Sequence, residues 1–242
     1  LSLSICLYAF YLAHRGKYFY AFIFSLIGSF LSYGSPPVMI SLFLYYLLDK
    51  KYKEGMVLVV PCIIYHFYYI IVSELLGLGT PRIIEKVTIL SLTKQYLLQI
   101  FTFVDATFGP SMWFKIYFSL TQLSVISLLI GFLFVAVFYK SYSEVKEKCN
   151  AKLLICLLAM LLLSFGIFAL TGRYPQLAFN LGNRVTIFGS LLLAYIIVVI
   201  PISKTVKISL FALLMFSILG ISDHWKNWNI HQQHVIDNIK NN

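Results

Sequence analysis

Long apolar runs, separated by short stretches that carry most of the charge, constrain this chain more than any other feature. Met56 to Leu76 contains Pro61, His66 and Glu74 but no lysine or arginine. Ile116 to Tyr139, Leu153 to Leu170, Val185 to Ile200 and Ile208 to Ile221 contain no charged residue. In hydrocarbon every backbone polar group needs an internal partner, and an α-helix supplies one within the segment. A membrane β-barrel would show short alternating segments, and these runs do not alternate. The composition agrees, with 60% hydrophobic and 12% charged residues, against roughly 25% charged in soluble domains. The expected fold is all-α, a multi-pass transmembrane helical bundle.

About eight spans are expected. Leu1 to Leu12 reads as the end of a span, closed by His14-Arg15-Gly16-Lys17. Tyr18 to Ser32 and Val38 to Leu48 follow, and both fall short of the roughly 20 residues a bilayer core needs. They read as two short helices, with one kinked span as the alternative. Ser35 followed by Pro36 is a helix-start signal between them. The remaining spans are the five runs named above. Residues 1–222 form the transmembrane helical domain and 223–242 a polar external tail, with Trp225 and Trp228 at the membrane edge. The chain opens inside an apolar run without an initiator Met, so a fragment lacking its N-terminal part is expected.

Residues 77–111 are mixed. Pro81 starts a helix in which Ile83, Val87, Leu90, Leu97, Phe101 and Val104 recur at helical spacing, while Arg82, Glu85, Lys86, Lys94 and Gln95 fall elsewhere. That pattern fits an external amphipathic helix lying in the membrane interface. A helix packed on the bundle fits the same stripe.

The basic residues set the orientation. Arg15, Lys17, Lys50, Lys51, Lys53, Lys140, Lys146, Lys148, Lys152, Lys204 and Lys207 crowd short loops on one side. Arg82, Lys86, Lys94, Lys115, Arg173, Arg184, Lys226 and Lys240 are spread over longer segments on the other. Short loops dominate the positive-inside rule, so the first side is cytoplasmic and the C-terminal tail external, in a plasma (inner) membrane. An extra span at 88–104 would put Lys94 near mid-bilayer and the lysine-rich 140–152 loop outside, and both are penalised. The net charge of +10 is thus an orientation signal with affinity for membrane lipids, and it calls for no nucleic acid.

The external side gathers the candidate functional groups Glu74, Arg82, Glu85, Asp105, Arg173, Tyr174, Asn180, Asn183 and Arg184. Most lie in one polar loop, Thr171 to Arg184, between two apolar runs. Guanidinium forks at membrane level suit a phosphate or diphosphate, because they bind its oxygens in pairs and stay charged. Asparagine and tyrosine suit sugar hydroxyls, and Asp105 or Glu74 is placed to act as a general base on an acceptor hydroxyl. Plainer roles compete: both arginines can snorkel, Asp105 can cap a turn, and His66 can bond a neighbouring helix. His224, His231 and His234 read as a solvated tail, and Cys6, Cys62, Cys149 and Cys156 as packing residues. Neither set has metal-ligand spacing. Phosphate-loop, dinucleotide, serine-elbow and zinc-protease motifs are all missing, and no cofactor is indicated.

In its overall plan the chain resembles the C-terminal membrane half of bacterial polytopic glycosyltransferase-like proteins of the GT-C type. The resemblance is carried by Tyr33-Gly34-Ser35-Pro36-Pro37, by Gly172-Arg173-Tyr174-Pro175 with Asn183-Arg184 opening a late span, and by a tail starting near Trp225. It implies a sugar taken from a polyprenyl-phosphate donor in cell-envelope glycan assembly, with Arg173 and Arg184 on the lipid phosphate. The catalytic acidic residue of such enzymes would precede Leu1, so none is carried over. A polysaccharide polymerase or ligase is resembled nearly as well. A transporter or flippase would use the same arginines without chemistry, and a structural membrane subunit is a third class.

Overall fold

The structure, a computed structural model, describes residues 1–32, 34–77, 88–142, 149–171 and 186–240. These residues form ten α-helices and no strand. They are α1 (Ser2–His14), α2 (Tyr18–Leu31), α3 (Ser35–Leu48), α4 (Tyr52–Leu75) and α5 (Ile89–Phe108). The others are α6 (Pro110–Thr121), α7 (Val125–Ser141), α8 (Ala151–Thr171), α9 (Thr186–Val199) and α10 (Lys204–Lys240). Among them α4, α8 and α10 are long and apolar enough to cross a bilayer, and the bent pair α6–α7 makes up to four. This is the make-up of a helical membrane protein.

One compact unit comprises Leu1–Phe103 and Cys149–Tyr195. In it α1 and α2 form a hairpin turned at Arg15-Gly16-Lys17, where Gly16 takes φ +73°, a conformation that costs glycine nothing. Small side chains let the two helices approach, as in membrane packing generally. Ala9, Ala13, Ala21, Ser25 and Ser29 are buried. A Cβ on Gly28 would come within 2.9 Å of Cys6 Sγ. The serines satisfy themselves on helix carbonyls: Ser25 Oγ donates to Leu58 O at 2.7 Å and Ser29 Oγ to Ser25 O at 2.9 Å. Helix α3 packs on α4 and on α8, burying Met39, Leu42 and Tyr46 on its side and Cys156, Met160 and Leu161 on that of α8.

The second unit comprises Val104–Lys148 and Ile196–Asn242. There α10 packs on α6 and α7. Gly131 of α7 lies against Phe216, Gly220 of α10 lies against the Ser119 carbonyl, and Phe138 stacks on Phe211 with centroids 4.0 Å apart.

Four expectations are refined by these elements. Residues 18–48 do form two short helices, but α3 begins at Ser35 with Gly34 as its cap and no side-chain capping bond. The buried Ser35 Oγ makes no conventional hydrogen bond and lies beside the Cys62 thiol. The run Ile116–Tyr139, expected as a single span, is instead broken between Thr121 and Val125 with a bend of 117°. Its polar residues explain the break: Ser119 and Thr121 hydroxyls each donate to a carbonyl three residues back, at 2.8 Å, and Ser124 caps α7 by accepting the Ser127 N–H at 3.2 Å. Side chains that bond the backbone in this way compete with a continuous helical ladder.

The mixed segment yields α5, whose expected stripe residues Leu90, Leu97, Phe101 and Val104 are exposed; Ile83 and Val87 lie outside the described residues. The buried positions of α5 are Gln99 and Phe103. Finally, residues 223–240 continue α10 as one helix of 37 residues instead of leaving it as a separate tail.

Candidate functional site

Contacts within the first unit sort its ends. The turn between α3 and α4 carries Asp49, Lys50 and Lys51, with Lys53 following in the first turn of α4, and Asp49 forms an ion pair with Lys152 at the start of α8. That bond, ahead of other causes, holds the Asp49 carboxyl below the usual carboxylate range. The Tyr18 hydroxyl donates to Glu54 Oε1 at 3.2 Å, and Lys53 Nζ lies 4.4 Å from the Tyr18 ring centroid. Tyr195 near the end of α9 reaches Asn150, accepting its N–H at 2.7 Å. The Arg15–Lys17 turn, the Lys50–Lys53 stretch and Lys152 therefore share one basic end.

At the opposite end of the same unit, α8 stops at Thr171 and α9 starts at Thr186. A Cβ on Gly34, at the start of α3, would lie 3.6 Å from the Phe188 ring of α9. Helix α4 finishes there too, with Phe30 of α2 packed edge-on to Tyr65 and tilted against Tyr68 in its second half. Glu74 occupies the last turn of α4 and is exposed. The two segments 78–87 and 172–185 follow from the ends of α4 and α8. Arg82, Arg173, Tyr174, Asn180, Asn183 and Arg184 lie in them, outside the described residues.

Asp105 belongs to the second unit. Its Oδ2 accepts from the Ser111 hydroxyl and its Oδ1 from the Ser111 N–H at 3.5 Å. It thereby ties the end of α5 to the first turn of α6 across Gly109-Pro110, which is the turn-capping role. A carboxylate committed in this way is poorly placed to take a proton from an acceptor. His66 Nδ1 lies 2.8 Å from Cys62 O of its own helix. A carbonyl only accepts, so Nδ1 carries the hydrogen. The expected partner on a neighbouring helix is replaced by this local bond. Among the described residues no group of histidine, cysteine and carboxylate side chains could hold a metal ion.

Sequence reasoning missed Gln99, which is 1% exposed; a lone polar residue amid the apolar positions of α5 was its only signal. It also missed a groove in the first unit. Leu92, Thr93, Tyr96 and Leu97 of α5 face Gly166 and Leu170 of α8 around about 370 Å³. A Cβ on Gly166 would meet nothing within 4 Å, so the wall is open at that point. The two polar groups of its wall are already used: Thr93 Oγ1 donates to Ile89 O at 2.9 Å and Tyr96 Oη to Leu162 O at 3.2 Å. What the groove offers is hydrocarbon surface, ending beside the point where α8 passes into 172–185. Compared with protein-family models, curated proteins and solved structures, the chain matches none.

Proposed function

We propose that this chain belongs to a membrane glycosyltransferase-like protein of the bacterial inner membrane, acting at the external face on a sugar linked to polyprenyl phosphate, in cell-envelope glycan assembly. The observation that carries the reading is the sorting of the first unit. Its lysine-bearing turns share one end, and the segments with Arg82, Arg173 and Arg184 leave from the other. Positive-inside orientation turns the lysine end to the cytoplasm and those arginines outward. Arg173 and Arg184 bracket one short polar stretch of sequence containing Pro175 and Gly182, between the end of α8 and the start of α9, and two guanidinium groups there suit a lipid phosphate. The apolar groove beside Leu170 suits the hydrocarbon of the same carrier.

In this reading the chain passes the bilayer about eight times, by α1, α2, α3, α4, the broken α6–α7, α8, α9 and α10, with α5 in the interface. The short helices cross where the bilayer thins locally. Residues 223–242 are external. Glu74 is the acidic side chain best placed to approach an acceptor hydroxyl, since Asp105 is held by Ser111.

A second reading is favoured by one observation. Broken helices such as α6–α7, bent by 117°, are what transporters place around a site, so a flippase for the same lipid-linked sugar would use the same arginines. Both are tested by envelope glycan yield and membrane abundance for Arg173→Lys, Arg184→Lys and the double alanine variant in the full-length protein. A charged hydrogen bond contributes roughly 1.5–3 kcal/mol, so each loss should weaken carrier binding about tenfold to a hundredfold. Lysine should restore little where the contact is bidentate. Normal glycan at normal abundance in the double variant would sink both readings, and loss of abundance alone would make the arginines snorkelling anchors. Sugar transfer by the purified protein separates the enzyme from the flippase.

A further inference from the structure

Helix α10 is longer than a membrane requires. Its 37 residues extend about 55 Å, against a hydrocarbon core of about 30 Å. Within its unit it is pinned twice, at the two ends of α7. Lys204 Nζ donates to Tyr142 O at 3.3 Å, and Asp223 Oδ2 accepts the Ser124 N–H at 2.8 Å. The stretch between those pins covers about 30 Å, one bilayer core. Everything after Asp223 projects beyond it.

The projecting part is not uniformly polar. Trp225, Trp228, Val235 and Ile239 are 43% to 72% exposed, and with Gln232 they repeat at alternating steps of three and four. The same register runs back through Leu214, Ile218 and Ile221, also exposed. It lies on the side of α10 away from Phe216, Gly220 and Asp223, which meet α6 and α7. This is the heptad spacing of a coiled-coil seam, with Trp225, Gln232 and Ile239 at a, and Trp228 and Val235 at d. Inside the bilayer such a stripe costs nothing, because lipid covers it. Outside, an apolar face of this length needs a cover. Anchoring at the membrane edge accounts for the two tryptophans. It does not account for Val235 and Ile239, about 18 and 24 Å beyond Asp223 along the axis.

We propose that the projecting half of α10 pairs with the same helix of a second copy of this chain, as a parallel two-stranded coiled coil. Three features select a second copy. The membrane holds every copy in one orientation, so two α10 helices meet in parallel and at matched height. The flanking e and g positions are His224, Asn229, His231, Ile236 and Asn238. They carry no fixed like charges to repel an identical strand, while Lys226 and Asp237 sit at the outer b and f positions. A lone polar residue at a fixes register, and Gln232 meets its own counterpart only in a self-pair. Two and a half heptads would be marginal free in water. Continuity with a membrane-held helix removes most of that cost by raising the effective concentration.

The test uses the full chain in native membranes with the exposed Cys149 changed to serine. Single cysteines are introduced at Trp228, Gln232, Val235 and Ile239 on the seam, and at Lys226, Gln233 and Asp237 outside it, then oxidised. The expected result is a covalent product of twice the chain mass from the seam positions, several-fold above the outer ones. Equal yields at both sets, no dimer at any position, or a product containing one copy and a foreign chain would each overturn the proposal. Subunit counting of the unsubstituted protein in nanodiscs is a second measurement. It should give two copies, falling to one for Gln232→Lys, and one copy in the unsubstituted protein contradicts the pairing.

Discussion

The Asp49 carboxylate and the Lys152 ammonium form an ion pair although 103 positions separate them in the chain. Asp49 follows the end of α3 and Lys152 lies at the start of α8, so the pair fixes which ends of these two helices lie together. Together with Lys53 over the Tyr18 ring, it makes one end of the first unit basic.

Cysteines at Asp49 and Lys152, in a background with Cys149→Ser, should be joined within one chain by a short bis-maleimide of about 10 Å reach, which allows for the length of the lysine side chain, read by a mobility shift on gels. Failure to crosslink would mean that α3 and α8 do not run alongside each other as found here.

The same pair sets a pH dependence. The Asp49 carboxyl is held below its ordinary value by Lys152, so its contribution is complete above the unfolded carboxylate pKa of about 3.9 and is lost as pH falls through the lower folded value. Asp49→Asn should lower the apparent thermal midpoint at pH 7 and make no difference once both proteins are held below that range. A variant effect that persists unchanged in strong acid would contradict the assignment.

Two glycines should answer oppositely to the same change. Gly220 lies against the Ser119 carbonyl, whereas a Cβ on Gly166 meets nothing within 4 Å. Gly220→Ala should destabilise by roughly 1–3 kcal/mol through overpacking, while Gly166→Ala should be neutral or gain about 0.5–1 kcal/mol of helix propensity. Thermal midpoints in detergent compare them directly.

Gly166 also gives access to the groove. Gly166→Leu should fill the space between α5 and α8 without loss of membrane abundance, and should reduce photocrosslinking of a polyprenyl-phosphate probe several-fold. Unchanged labelling would remove the groove from the carrier's path.

What the sequence disclosed follows from which forces are local. The runs Met56–Leu76 and Leu153–Leu170 became α4 and α8 because apolar length alone dictates a helix in lipid. The gap at Gly34 between α2 and α3 was legible from Ser35-Pro36-Pro37. The break before α7 was harder to read, because Ser119, Thr121 and Ser124 look like tolerated polar residues until their hydroxyls are seen bonding the backbone. The helical continuation after Asp223 was masked by its histidines, asparagines and glutamines, whose polarity hides a stripe of only a few apolar residues per heptad. For Asp105, a side chain that could serve catalysis or a turn was decided by Ser111, six residues on, a partner that composition does not reveal. The arginine loop is different in kind: its residues suggest phosphate chemistry, but the described structure bears on its two ends alone.

The proposed function turns the lysine end of the first unit to the cytoplasm and the 172–185 segment outward. Cys149, exposed beside Asn150 and Lys152, reports on the first; a cysteine at Gln176 in a Cys149→Ser background reports on the second. The decisive measurement is labelling with a membrane-impermeant maleimide in right-side-out spheroplasts and in inverted vesicles. In that orientation Cys149 reacts only in inverted vesicles and the Gln176→Cys variant only in spheroplasts. Reaction of Cys149 from outside would contradict it.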